Sequence, residues 1–262
     1  MKKGLALLLS TAVVLSMSLT ACGGGTDAKK IYDDASKKTA ELTEMDMSTV
    51  IAMQMKQGED SIDISMDMDM KMANIDQEDM KYSATGTTSA MGQDMDMSMY
   101  YIDGYYYMDT AGQKIKYAMD VNALMEQVKQ STDTGALASE YMKEISAKKD
   151  GDNQIITYTA DAAKMDEYVK EVMGGMGSGM GLDSVTYNIK SISGETVVNK
   201  DGYCASTKMN MDMEMEMEGE TISVTMDIDL VYNNIGQPVE IEAPADMDSY
   251  TEVDAAAMGL TQ

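Results

Sequence analysis

Five thioethers set two residues apart, in the run Met209-Asn210-Met211-Asp212-Met213-Glu214-Met215-Glu216-Met217, are the groups in this chain best placed to do chemistry. Soft sulfur ligands at that spacing suit Cu(I). The alternation returns at Met66-Asp67-Met68-Asp69-Met70-Lys71-Met72 and Met95-Asp96-Met97-Ser98-Met99, and briefly around Met45-Asp46-Met47 and Met53-Gln54-Met55. Two features weigh against copper. Ile62 and Ile64 continue the register of Met66 to Met72, where a metal would have no use for them, and the 262 residues contain no histidine. The period is that of a strand, which puts the thioethers on one face and the carboxylates on the other. On a helix the same residues would scatter around the axis.

Other chemistries fare worse. Without histidine, no Ser/His or Cys/His arrangement exists, and we expect no enzyme, catalytic residue, metal centre or cofactor. Carboxylates such as Asp67 and Asp69 alternate along strands and read as a solvated face. They could hold Ca²⁺ weakly, but no loop has the oxygen-ligand spacing of a dedicated site. The glycine-rich stretch Gly174 to Gly181 lacks the lysine and hydroxyl of a phosphate loop, since Leu182-Asp183 follows. It reads as a flexible loop capping a helix. Cys204, beside Tyr203 in an expected strand, reads as a small packed residue.

Composition sets further bounds. A net charge of -25 argues against nucleic acid and against electrostatic adsorption to anionic lipid. With 31 Met and neither Phe nor Trp, methionine must fill the core positions those residues usually take. The 44% hydrophobic content allows a sizeable core.

Lys2 and Lys3 precede an apolar stretch from Gly4 to Ser18, closed by Leu19-Thr20-Ala21-Cys22. This resembles a bacterial lipoprotein signal peptide with its lipobox. The resemblance implies removal of residues 1–21, diacylglycerol on Cys22, a tether over residues 22–29 and a place on the outer side of the cell membrane. Two or more acyl chains hold a protein on a bilayer stably. With Cys22 so used, Cys204 has no intrachain disulfide partner.

Further along, Ala28 to Glu44 is expected to be helical, with Ile31, Ala35 and Leu42 on one side. Strands follow at Met45–Lys56 (Met45, Met47, Ile51, Met53 and Met55 on one face), Ser61–Asn74, Met80–Thr88, Gln93–Ile102, Tyr105–Met108 and Lys114–Ala118. Asp103-Gly104 is a strong hairpin signal. The period then becomes helical at Val121, Leu124, Met125 and Val128, and again at Leu137, Tyr141, Met142 and Ile145. A strand at Gln154–Ala160 and a helix through Met165, Tyr168, Val169 and Val172 follow. The remainder reads as strands at Ser184–Ile192, Glu195–Asn199, Tyr203–Met217, Thr221–Tyr232 and Pro238–Ala243. Turns are expected at Ser193-Gly194, Lys200-Asp201-Gly202 and Glu218-Gly219-Glu220.

Strands this long must twist and coil. The expected fold is α+β, a curved, mainly antiparallel β half-barrel with helices covering the concave face. It occupies residues 30–245, ahead of an acidic tail over 246–262. The lipobox, the hairpin Tyr101-Ile102-Asp103-Gly104-Tyr105-Tyr106-Tyr107 and the closing Asn234-Ile235-Gly236-Gln237-Pro238-Val239-Glu240-Ile241 resemble the LolA/LppX-like lipoproteins of Gram-positive bacteria. That resemblance implies carriage of lipids or lipoprotein acyl chains in the hollow, and it transfers no individual contact residue.

Adaptable, unbranched methionines suit such a surface. The ligand-face candidates are Met66, Met68, Met70, Met97, Met211, Met213 and Met215. The expected partners are the membrane, through the lipid anchor, and a lipid or acyl chain, with no nucleic acid. The alternative is a structural or protein-interaction lipoprotein of the cell envelope whose methionines merely pack; Cu(I) binding ranks below both.

Overall fold

A computed structural model of the chain describes residues 25–122, 124–125, 139–161, 164–165, 186–217 and 220–254. A helix, α1 (Gly25–Ala40), precedes two runs of strands. The first run comprises β1 (Met45–Gln57), β2 (Asp60–Ala73), β3 (Lys81–Ala90), β4 (Gln93–Ile102), β5 (Tyr105–Thr110) and β6 (Gln113–Ala118). The second comprises β7 (Met142–Asp150), β8 (Asn153–Ala160), β9 (Thr186–Val198), β10 (Cys204–Met217) and β11 (Glu220–Asn233); a short β12 (Thr251–Glu252) ends the described chain. All twelve form one open, curved sheet in the order β12-β6-β5-β4-β3-β2-β1-β11-β10-β9-β8-β7. Among the described pairs, only β12–β6 is parallel. The two runs are antiparallel meanders joined at their first and last strands, β1 and β11.

Tight turns hold each meander in register. Asp103 and Gly104 have φ of 52 and 80, the positive values expected of that hairpin. Met91-Gly92 and Ala111-Gly112 turn the same way. Local twist and bend come from bulges at Met142/Glu144 in β7, at Cys204/Ser206 in β10, and at Lys190 of β9 opposite Asp212/Met213.

The pairing gives the sheet two chemically different faces. One row of opposed residues runs Met95, Thr88, Met66, Ile51, Ile228, Met209, Gly194, Tyr158, Ile145 across nine strands. At about 4.8 Å per strand, that apolar row spans roughly 38 Å. The other face is acidic, and its carboxylates are spaced by the register. Among the described pairs, no carboxylate lies directly opposite another. Hydroxyls, amides and lysines stand opposite instead, with Val50, Ala52 and Met217 the apolar exceptions. Ser48 donates to Asp69 at 2.6 Å, Gln54 to Asp63 at 2.6 Å and Thr87 to Asp96 at 2.8 Å, while Asn210 donates to Asp227. Lys208 pairs with Asp229 at 3.3 Å. Like charges directly opposite would be destabilising, so this spacing lets an acidic chain keep a continuous polar face.

Helix α1 packs on the apolar face at the β7–β10 end. Ala28, Tyr32, Ala35 and Thr39 form its buried stripe, three and four residues apart as a helix requires. Tyr32 meets Tyr158 edge to face at 5.7 Å. The Thr39 hydroxyl donates to Ala35 O at 2.8 Å and accepts the Cys204 backbone N–H at 2.9 Å. Lys38 clamps the neighbouring turn, donating to Asp201 O at 2.6 Å and lying 4.2 Å from the Tyr203 ring centroid. The helix starts at Gly25, three residues earlier than expected from the spacing, and Asp27 in its first turn favours that start. It ends at Ala40 rather than Glu44, because Leu42 N–H closes a tight turn on Thr39 O at 3.2 Å.

Three expectations fail. The helix expected through Leu137 to Ile145 is instead a short 3₁₀ turn, Ser139–Tyr141, leading into strand β7. Its apolar spacing fits either period, and pairing of Ile145 with Tyr158 and Ala147 with Ile156 decides for the strand. Lys148 to Gly151 then belongs to the β7–β8 hairpin, with Gly151 at φ 59. Ser193-Gly194 is not a turn but mid-strand in β9. A Cβ on Gly194 would lie 2.3 Å from Tyr158 Cζ, so this glycine makes room for the ring that α1 packs on. Pro238 to Ala243 is unpaired. Its Val239 N–H is taken at 3.1 Å by Glu44, whose other oxygen accepts from Asn74 N–H at 3.2 Å.

The helices expected through Val121–Val128 and Met165–Val172 are described only at residues 121–122, 124–125 and 164–165, which are helical. Their remainders, the Gly174–Gly181 stretch, the signal segment with Cys22, and Glu218-Gly219 lie outside the described residues. After Pro244 the chain returns to the sheet. Tyr250 is buried against Tyr107 at 5.3 Å, Lys114 joins Asp246, and β12 covers part of the β6 edge. The opposite edge, β7, exposes Lys143, Lys148 and Lys149, charges that discourage pairing with another chain.

Met213 belongs to the half-buried apolar face and Asp212 to the exposed one. Met213→Asp is therefore expected to cost about 3 kcal/mol or more, and Asp212→Ser under about 1 kcal/mol. Thermal unfolding of the two variants checks this, and equal losses would contradict the register.

Candidate functional site

The apolar face is the candidate site, and its cover is uneven. At the β7–β10 end, Ile156, Tyr158, Ile189 and Ile192 are buried with Tyr32 and Ala35 of α1 and with Met165. Near the base of β1 and β2, Met45, Met47 and Met72 form a second closed cluster with Leu42 and Tyr232. Met80, Tyr101 and Leu124 make a third, with Tyr82, Tyr106 and Met125 against them. Between these clusters and the hairpin tips, the face is half-buried at Ile51, Met53, Met55, Ile62, Ile64, Met66, Met211, Met226 and Ile228. It ends in the open at Met95, which is 43% exposed, beside Met91 at 76%.

All seven candidate methionines fall in the apolar register, but they do not converge on a point. Met66, Met68 and Met70 lie on β2, Met97 on β4, and Met211, Met213 and Met215 on β10. Five strand spacings separate β4 from β10 through the sheet order, or roughly 24 Å. Met68 is buried and Met70 packs on the closed cluster around Met45 and Met72. Met211 and Met213 pack toward the α1 end, in line with Met226 and Val224 of β11. The arrangement is a surface, not a coordination sphere. Among the described residues, no group of three His, Cys, Asp or Glu side chains could hold a metal ion.

Two residues on this face escaped the sequence reading. Thr49, opposite Met68 and Leu230, and Thr88, opposite Met66 and Met95, carry buried hydroxyl oxygens with no hydrogen-bond partner. A buried polar group left unmatched costs about 1–3 kcal/mol. The available signal was their interruption of otherwise apolar registers, Thr49 falling between Met47 and Ile51. By contrast Thr196 and Thr207, directly opposite each other, pair at 3.2 Å.

A groove of about 510 Å³ lies elsewhere, chiefly on the acidic face, lined by Ala52, Gln54, Asp63, Ser65, Ser89, Thr225 and Asp227. Met53 and Ile64 are its contributions from the apolar register. Gln54 and Asn210 already bond the carboxylates of Asp63 and Asp227.

Burial favours the neutral form of several groups around the apolar face. Burial raises the Cys204 thiol above its ordinary value, opposed in part by contacts with Thr39 and Ser36; this fits a packed residue and not a nucleophile. Burial likewise raises Tyr82 and Tyr106, and the Tyr106 hydroxyl donates to Met99 Sδ at 3.1 Å. Tyr232, between the α1 and Met45 clusters, is pushed up to about 12 by burial and then by neighbouring Cys204. A tyrosine whose folded pKa exceeds its unfolded value near 10 loses stabilising effect as pH rises from about 10 through 12. Stability is therefore expected to fall over that window, and less steeply in Tyr232→Phe. Denaturant midpoints across alkaline pH check this; identical slopes would contradict it.

Residues 27–251 match the model of a family described as "Family of unknown function (DUF6612)". No curated protein matches the chain. Among solved structures, the chain is similar to LprF from Mycobacterium bovis, at 14% identity over 86% of this chain and 100% of that one, with a TM-score of 0.47. It is also similar to the LolA superfamily protein NE2245 from Nitrosomonas europaea (9% identity, 79% and 94% covered, TM-score 0.23). A third is a putative outer membrane lipoprotein-sorting protein domain from Vibrio parahaemolyticus (10% identity, 82% and 95% covered, TM-score 0.23). LolA-type and lipoprotein-related proteins, expected from the resemblance, are thus among the structural neighbours. By the match over residues 27–251, the chain belongs to the DUF6612 family of unknown function.

Proposed function

We propose that the protein is a non-catalytic lipoprotein, held by Cys22 on the outer side of the membrane, that binds a lipid or acyl chain on its methionine-lined face. The observation that carries this reading is the apolar row from Met95 to Ile145, closed by α1 at one end and left half-buried toward the hairpin tips. An ordinary core would be covered along its length. Contiguous apolar surface left open marks a binding site, and methionine adapts to ligands of variable shape. The helical residues Leu124 and Met165 are both buried among the apolar clusters, which fits cover of those clusters. Among the described residues, no helix is long and apolar enough to cross a membrane, which fits anchorage by lipid. A copper carrier is disfavoured by the isoleucines and valine that share rows with the methionines, such as Ile62, Met55, Val224 and Met213.

Mass spectrometry of the natively purified protein, after organic extraction that leaves the covalent anchor in place, tests the reading. An acyl lipid is expected near one per chain. Stoichiometric copper, or neither lipid nor metal, would refute it.

A further inference from the structure

The unpaired hydroxyls of Thr49 and Thr88 indicate what kind of lipid the face takes, an inference that rests on the lipid-binding reading above. The two stand on either side of Met66 and Met68, Thr88 opposite Met66 on β3 and Thr49 opposite Met68 on β1. Both oxygens are buried and neither meets an acceptor. The face does pair hydroxyls where register allows, as Thr196 with Thr207 shows. Thr49 and Thr88 have only Met and Leu opposite.

Charge narrows the choice further. On β1 to β4, β10 and β11, every lysine stands in the opposite register, and so does every carboxylate except Asp60 and Glu220, each at a hairpin tip. A carboxylate or phosphate drawn onto this surface would find no cation, and burying it unpaired is costly. A neutral ester carbonyl needs only a hydroxyl donor. Met66 and Met68, lying between the hydroxyls, are unbranched and can shift to admit it. We propose that Thr49 and Thr88 donate to the ester carbonyl oxygens of a neutral diacylglyceryl lipid lying across Met66 and Met68.

The test titrates the purified full chain with three fluorescent probes of equal chain length: a diacylglycerol, its diether analogue and a free fatty acid. The diester is expected to bind about tenfold more tightly than the diether, and the fatty acid more weakly than either. Thr49→Val combined with Thr88→Val keeps the side-chain shape and removes both donors. It should abolish the ester preference while leaving diether affinity and melting temperature unchanged or higher. Equal binding of diester and diether, tightest binding of the fatty acid, or an ester preference that survives in the double variant would overturn the assignment. Failure of all three probes to bind would overturn the lipid-binding reading instead. If the double variant does not fold, the diester–diether comparison on the unaltered chain decides.

Discussion

The antiparallel seam between β1 and β11 is the constraint on which the rest of the structure depends. It joins strands about 175 residues apart, a costly closure in a chain this long, and it fuses two meanders into one sheet. Ile51 meets Ile228 and Met53 meets Met226 across it, so the apolar rows of both halves become continuous. A slip of one residue would set Ile51 beside Asp227 or Asp229 and carry one half's methionines to the solvent face. Alternation within each strand is thus meaningful only because the seam aligns the halves.

The same register governs charge and cover. An outer face this acidic holds together because hydroxyls, amides, lysines and a few apolar side chains, not further acids, stand opposite the carboxylates among the described pairs. The edges are managed differently at each side. β7 exposes lysines, whereas β6 is partly covered by the returning segment around Tyr250. Cover of the inner face is concentrated where α1 docks, through Thr39, Tyr32 and the space left by Gly194. The hairpin tips carry no described counterpart. Among the described residues, the face is closed where α1 docks and half-buried toward the tips; Thr88 lies near the β3–β4 tip and Thr49 next to buried Met47 and Met68.

Much of this was legible in the sequence because strand alternation and turn chemistry are local. β4 begins and ends where its alternation does, and Asp103-Gly104 turns as its residues require. The misreadings arose where a local signal was ambiguous or a distant partner decided. The apolar spacing around Tyr141 and Ile145 fits a helix as well as a strand, and only Tyr158 and Ile156 on β8 resolve it. Gly194 has turn chemistry but serves a ring contributed by another strand. Pro238 to Ala243 has strand composition, yet Glu44 takes the backbone donor that a ladder would use. Within the candidate site, the methionines declare themselves by repetition. Thr49 and Thr88 do not, because a hydroxyl's lack of a partner appears only once the chain is folded.

The central claim, that the open part of the methionine face is a lipid surface, is tested most directly by mapping methionine oxidation with and without bound diacylglycerol. Methionine becomes a sulfoxide under mild peroxide, and exposure governs its reactivity. Peptide mass spectrometry should show Met53, Met66, Met211 and Met226 protected on loading. Met91, which is 76% exposed, should remain reactive, and Met45 and Met72, at 4% each, should resist throughout. An oxidation pattern unchanged by the lipid, or protection confined to Met91, would contradict the account.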